Sequence, residues 1–175
     1  GPGVTKLPEA FSNIANGTFI GIPNGAILFV IVILLLYYIM NSTIFGRKMF
    51  LMGSNAVAAK FSGINTLKTS MTTYAISGIL GSIAGLLMAS HYNSAKSDYG
   101  SSYTLQTLLI AVLGGTNPDG GRGNLSGVVM AIILLQLISS AFNILRINAF
   151  VKTFVFGLVL VLVMVGSKLV ERRKK

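Results

Sequence analysis

Apolar residues run along this chain in blocks rather than in alternation with polar ones. Five blocks stand out, at 25–40, 69–90, 105–113, 125–145 and 150–165. Long uncharged runs of this kind predict helices that cross a bilayer. A membrane barrel would instead show short segments alternating apolar and polar, and none appears. The first block follows the turn signal Ile22-Pro23-Asn24-Gly25, and Tyr37 and Tyr38 near its end suit a membrane interface. At about sixteen residues it spans roughly 24 Å, so flanking residues must complete the crossing. The second block carries Ser77, Gly78, Gly81, Ser82 and Gly85 without a charge. Its Gly81/Gly85 pair has the small-residue spacing that lets helices approach closely, which fits ordinary bundle packing as well as motion or a dimer interface. The third block is too short to span comfortably and predicts a half-helix whose tip lies inside the protein. It breaks into a glycine-rich stretch, and irregular backbone at membrane depth is tolerated only where protein or a watery cavity surrounds it. The fifth follows Arg146 and Asn148, with Lys152 placed to snorkel at its outer end.

Composition agrees with that pattern. Of 175 residues, 53% are hydrophobic and 10% charged, against roughly 25% charged in a soluble domain. The net charge of +10 raises the question of nucleic acid, but the positions of the charges argue against it. Arg47, Lys48, Lys60 and Lys68 share one interval between apolar blocks, and Lys168, Arg172, Arg173, Lys174 and Lys175 follow the last block. That is the distribution of the positive-inside rule, not of a DNA-binding face. Counting five crossings back from a cytoplasmic C-terminus puts the 41–68 interval in the cytoplasm too. The 91–104 loop, where Asp98 balances Lys96, then falls outside with the N-terminus. Cysteine is absent, so disulfide and thiol chemistry are excluded. The N-terminus has no basic stretch leading into an apolar core, so it is not a signal peptide. It also lacks an initiating Met, as expected of a fragment beginning within a longer chain.

Catalytic or metal chemistry is hard to place. The acids are Glu9, Asp98, Asp119 and Glu171, no two of them neighbours in sequence, and His91 stands without a partner at ligand spacing. The expectation is no enzyme, no metal and no cofactor, with His91 in a solvated loop. The stretch Gly114-Gly115-Thr116-Asn117-Pro118-Asp119-Gly120-Gly121-Arg122-Gly123 fails as a phosphate loop, because Asn124 and Leu125 follow where Lys-Ser/Thr is required. A dinucleotide fold is also absent, since no strand precedes the glycines. Gly114, Gly115, Gly120 and Gly121 are expected to take conformations or close approaches that a Cβ would obstruct. In the cytoplasmic interval, 53–65 is alanine-rich and bounded by Gly53 and Gly63. It suits a short interfacial helix with Ser54 or Asn55 as N-cap.

Three stretches in order, GRKMFLMGSNAVAAKFSGIN, LLIAVLGGTNPDGGRGNLSG and GLVLVLVMV, resemble the permease subunits of bacterial ABC importers for simple sugars. That group handles ribose, xylose, galactose and related sugars together with autoinducer-2, and the resemblance covers nearly the whole chain. It implies an all-α polytopic membrane protein with about five transmembrane or half-spanning helices and a short cytoplasmic coupling helix. Residues 1–175 would be the C-terminal portion of one transmembrane permease domain in the bacterial inner membrane, without its N-terminal helices. By resemblance, Gly53, Asn55, Val57, Ala58, Ala59 and Gly63 belong to the coupling helix that seats in a groove of a cytoplasmic ATPase. The small Ala58 and Ala59 allow close seating. Gly114, Gly115, Gly120, Gly121 and Gly123 form a translocation-pathway loop. The other implied partners are an extracytoplasmic sugar-binding protein, a second permease subunit and the lipid bilayer, with ATP bound by the ATPase alone. Val57 stands where the family usually has Glu, which removes one charge that could pair with the ATPase. Gln136 and Asn143 suit either contact with a polyol or helix packing. A secondary transporter or channel half would share the broken helix but should carry ionisable residues inside its spans. A structural subunit of another membrane complex is the remaining rival.

Overall fold

The computed structural model describes residues 4–5, 8–19, 21–96, 100–118 and 120–173; Asp98, Asp119, Lys174 and Lys175 lie outside them. The chain forms two units, Gly1–Gly100 and Ser101–Lys175.

The first unit opens with strand β1 (Val4–Thr5) and helix α1 (Glu9–Asn16), followed by a short antiparallel pair, β2 (Thr18–Phe19) and β3 (Ile22–Pro23). Helix α2 (Asn24–Ser42) then begins directly after Pro23. Its 19 residues have a mean hydropathy of 2.3, and at 1.5 Å per residue they extend about 28 Å, close to the bilayer core. The flanking residues complete the span as expected. At Thr43 the chain turns: its side chain donates to the Ile39 carbonyl and accepts from the Gly46 N–H, capping helix α3 (Ile44–Ser54). Gly46 is buried where the start of α3 presses on the end of α2, and a Cβ there would strike the carbonyls of Ile39 and Met40. Helix α4 (Ala56–Phe61) follows, and then helix α5 (Thr66–Tyr92), 27 residues with a mean hydropathy of 1.5. Strand β4 (Ser94–Ala95) returns to pair antiparallel with β1, Val4 opposite Ala95 and Thr5 opposite Ser94.

The second unit contains helices α6 (Thr104–Leu113), α7 (Leu125–Ile144) and α8 (Ala149–Arg173). Leu109, Leu135 and Phe156, one from each helix, form its buried core, with Leu105, Leu113, Ile138 and Phe142 packed around them. α7 and the Ala149–Gly166 part of α8 are long and apolar enough to cross a membrane, whereas α6 has ten residues and covers only about half the bilayer core. Lys152 lays its ammonium 5.8 Å from the ring centroid of Phe156, one turn along α8.

All five apolar blocks are helices, four of them of spanning length. Two expectations need correction. His91 is not in a loop: α5 continues through Tyr92 and holds His91 in its last turn, because Asn93 at φ 48° closes the helix in a left-handed cap. The 53–65 segment is not one helix either. Gly53 and Ser54 belong to α3, and a six-residue helix begins only at Ala56.

Candidate functional site

Two regions carry the residues singled out by the sequence, and each lies within one unit.

The first is α4 and its flanks. Asn55 has extended backbone (φ −159°) that breaks α3 from α4, and its Oδ1 accepts from the Ala58 N–H at 3.0 Å. Asn55, not Ser54, is therefore the N-cap. The exit is equally defined: Gly63 at φ +80° follows Ser62, with the Gly63 N–H bonded to the Lys60 carbonyl and the Ile64 N–H to the Ala59 carbonyl. These two bonds are those of a Schellman closure, which needs a left-handed residue at the Gly63 position. Asn65 then caps α5 through the Lys68 N–H at 2.9 Å. The α4 segment is thus pinned at both ends with few residues to spare.

Burial separates its look-alike residues. Ala59 is 5% exposed and faces its own chain. Ala58 is exposed. Val57 is 66% and Phe61 87% exposed, and their i, i+4 spacing sets them on one helix face. Phe61 was not singled out from sequence; its position one turn after Val57 was the available signal. Lys60 is exposed beside them, and so are Arg47 and Lys48 on α3.

The second region is the turn between α6 and α7. Gly114 is buried, and a Cβ on it would lie 2.6 Å from the Cα of Val128. A Cβ on Gly127 would strike the Gly114 carbonyl oxygen, so these two backbones touch. Gly127 escaped notice because it sits inside an apolar helix, away from the glycine run. Gly115 (φ +83°) closes α6 as Gly63 closes α4: its N–H bonds to the Val112 carbonyl and the Thr116 N–H to the Ala111 carbonyl. The loop then folds on itself, with the Asn117 N–H on the Arg122 carbonyl and the Gly120 N–H on the Asn117 carbonyl. Gly120 (φ +90°) and Gly121 (φ +74°) are left-handed as well, while Gly123 carries no positive φ. Asn124 caps α7 through the Ser126 N–H at 3.1 Å. The expectation of close approach or special backbone is therefore met at Gly114, Gly115, Gly120 and Gly121. Gln136 and Asn143 lie on exposed faces of α7. The Ser139 hydroxyl, buried in the same helix, has no hydrogen-bond partner among the described residues.

Among the described residues, neither region joins a nucleophile to a base or clusters acids; both are built from caps, glycines and apolar faces. Residues 1–164 match a family model described as a branched-chain amino acid transport system permease component. The chain belongs to this family of permeases. Similar proteins are the autoinducer 2 import system permease protein LsrD of Yersinia enterocolitica, 32% identical over 95% of this chain and 50% of that protein. Its counterpart in Salmonella typhi is 34% identical over 94% of this chain and 49% of the relative. The one in Yersinia pseudotuberculosis is 31% identical over 95% and 50%. The chain therefore spans about half the length of the curated relatives it matches. No solved structure matches it. Permease relatives and long apolar helices together make it a multi-pass protein of the bacterial inner membrane, a transport component rather than an enzyme.

Proposed function

We propose that this chain is the C-terminal part of the permease subunit of an ATP-driven importer for a small, sugar-like polyol, and that α4 is where a cytoplasmic ATPase docks. The names of the relatives support a solute of the autoinducer-2 class, and the motifs shared with sugar permeases favour a monosaccharide-like shape.

The observation that carries this reading is the exposed Val57–Phe61 face on a short helix fixed at both ends beside a membrane-spanning helix. A helix so pinned transfers a push on its surface into α5 instead of absorbing it. Docking would be apolar, with Phe61 as the anchor, since aromatic residues seated in pockets dominate interface energetics. The basic residues Arg47, Lys48, Lys60 and Lys68 around α4 support a cytoplasmic position for this face. In that orientation α5 leads outward and the α6–α7 hairpin dips in and returns. α8 then brings the basic C-terminus to the cytoplasm. ATP-driven closure of the ATPases would rock the attached helices and alternate access to the solute. A binding protein delivers the solute from outside, and a second permease subunit completes the path. No Asp or Glu occurs in α2, α5 or α7, so coupling to an ion gradient has no acid there to carry it.

Phe61→Ala in the full-length permease should weaken ATPase association by about 2 kcal/mol, roughly thirtyfold. Phe61→Leu should keep most of the affinity. Co-purification and a binding titration check both. Wild-type affinity in Phe61→Ala would remove α4 as the docking element.

A further inference from the structure

Ser90 lies in the last turn of α5 and is 0% exposed. Its hydroxyl donates toward the Phe11 carbonyl at 2.7 Å, with the Ser12 carbonyl at 3.1 Å, and accepts from the Ala15 N–H at 3.0 Å. Phe11 and Ala15 are one helical turn apart, so one buried hydroxyl grips α1 by both a donor and an acceptor of its backbone. Asn16 reinforces the grip. Its Nδ2 donates to the Ser90 carbonyl and to the Ser12 hydroxyl, each at 3.2 Å, and its Oδ1 faces His91 Nδ1 at 3.0 Å. The β1–β4 pairing adds backbone bonds just beyond. On its other side α1 is tied to the start of α2 by Asn24, whose Nδ2 donates to the Asn13 carbonyl at 3.2 Å and whose N–H donates to the Gly17 carbonyl at 2.9 Å.

α4 adjoins the opposite end of α5, through Asn65 and the Ile64–Ala59 bond. Between the two lies one unbroken helix of 27 residues, about 40 Å long. Gly78, Gly81 and Gly85 do not interrupt it, so it has no built-in hinge.

We propose that Ser90 is a positioning residue that fastens α1 to α5. A displacement of α4 by its docked partner then arrives on the opposite membrane face as a displacement of α1. The fastening stands on the contacts above; the transmission rests on the coupling reading of α4. If Ser90 only filled space, its replacement by Ala would leave α1 in place, held by the β1–β4 pair and Asn24.

The test uses the full-length permease with spin labels at Ile14→Cys on α1 and Leu86→Cys on α5, both exposed positions in a segment free of native cysteine. Wild-type protein should give one narrow distance, the same in detergent without the ATPase and in the ATP-bound complex. Ser90→Ala should broaden it, raising the detached population about tenfold or more as the donated and accepted bonds of the buried hydroxyl are lost together, and Ser90→Thr should restore it. In the reconstituted importer the ATP hydrolysed per solute imported should rise in Ser90→Ala and recover in Ser90→Thr. A narrow distance in Ser90→Ala, or a wild-type distance that shifts on ATP binding, overturns the fastening. A wild-type chain with which no ATPase associates overturns the coupling reading, and the transmission with it, while the distance measurement still decides the fastening.

Discussion

A Cβ built on Gly78, Gly81 or Gly85 of α5 meets nothing within 4 Å, whereas one on Gly114 would press into the backbone of Val128. The α5 glycines lie within an apolar block, and Gly114 ends one. In α5 they leave a face low, and Gly81 and Gly85 help line a groove of about 520 Å³ with Ala84, Met88 and Ala89. At the α6–α7 turn they let two backbones touch. A small residue in a membrane helix therefore has two separate uses, an open face and a closed contact, and the neighbour that would fill the Cβ position decides between them.

The largest effect expected of that difference is at the closed contact. Gly114→Val should cost about 3 kcal/mol or more, because backbone cannot swing aside as a side-chain tip can. Gly127→Val should do the same from the other side. Thermal denaturation of the detergent-solubilised full-length permease measures both, and a change within about 1 kcal/mol at either position would show that the turn opens without strain.

Next comes Gly115, where space is open and only the left-handed backbone resists substitution. The molecule supplies its own calibration. Arg146 occupies the equivalent place after α7 at φ 52°, with its N–H on the Asn143 carbonyl and the Ile147 N–H on the Phe142 carbonyl. The same closure thus tolerates a side chain. Gly115→Ala should cost only about 1 kcal/mol, and Gly115→Val more, since β-branching adds to the strain at positive φ. Equal losses for Gly115→Ala and Gly114→Val would erase the distinction between conformation and contact.

What could be read from sequence follows the same division. The apolar blocks were legible because a bilayer demands length and hydropathy, which are local properties. α3 was not, since Arg47 and Lys48 interrupt its apolar pattern and its start is held by the Thr43 cap and by Gly46 pressed on α2. α1 was missed for a related reason: much of what holds it comes from Ser90, distant in the chain. At the candidate docking site, the caps and Gly63 were legible as local chemistry. Which of Ala58 and Ala59 faces out was not, because that depends on how α4 lies against its neighbours. The contact between Gly114 and Gly127 was hidden likewise, as it exists only once α6 and α7 fold back on each other.

The smallest effect should be at Gly85. Alanine there meets no atom within 4 Å, and it restricts the unfolded chain while favouring helix, so Gly85→Ala should stabilise the 1–175 chain by about 0.5–1 kcal/mol. Gly81→Ala should act in the same way, and the double variant should be nearly additive, because neither methyl reaches a partner that the other shares. Thermal unfolding followed by helical circular dichroism in a mild detergent is sensitive enough if the two variants are compared with Gly114→Ala in the same preparation. A loss of about 1 kcal/mol or more at Gly85 would mean that another helix lies against this face at the close spacing small residues permit. In that event the α5 glycines would be closed contacts of the same kind as Gly114, and the groove beside them would be an occupied seam.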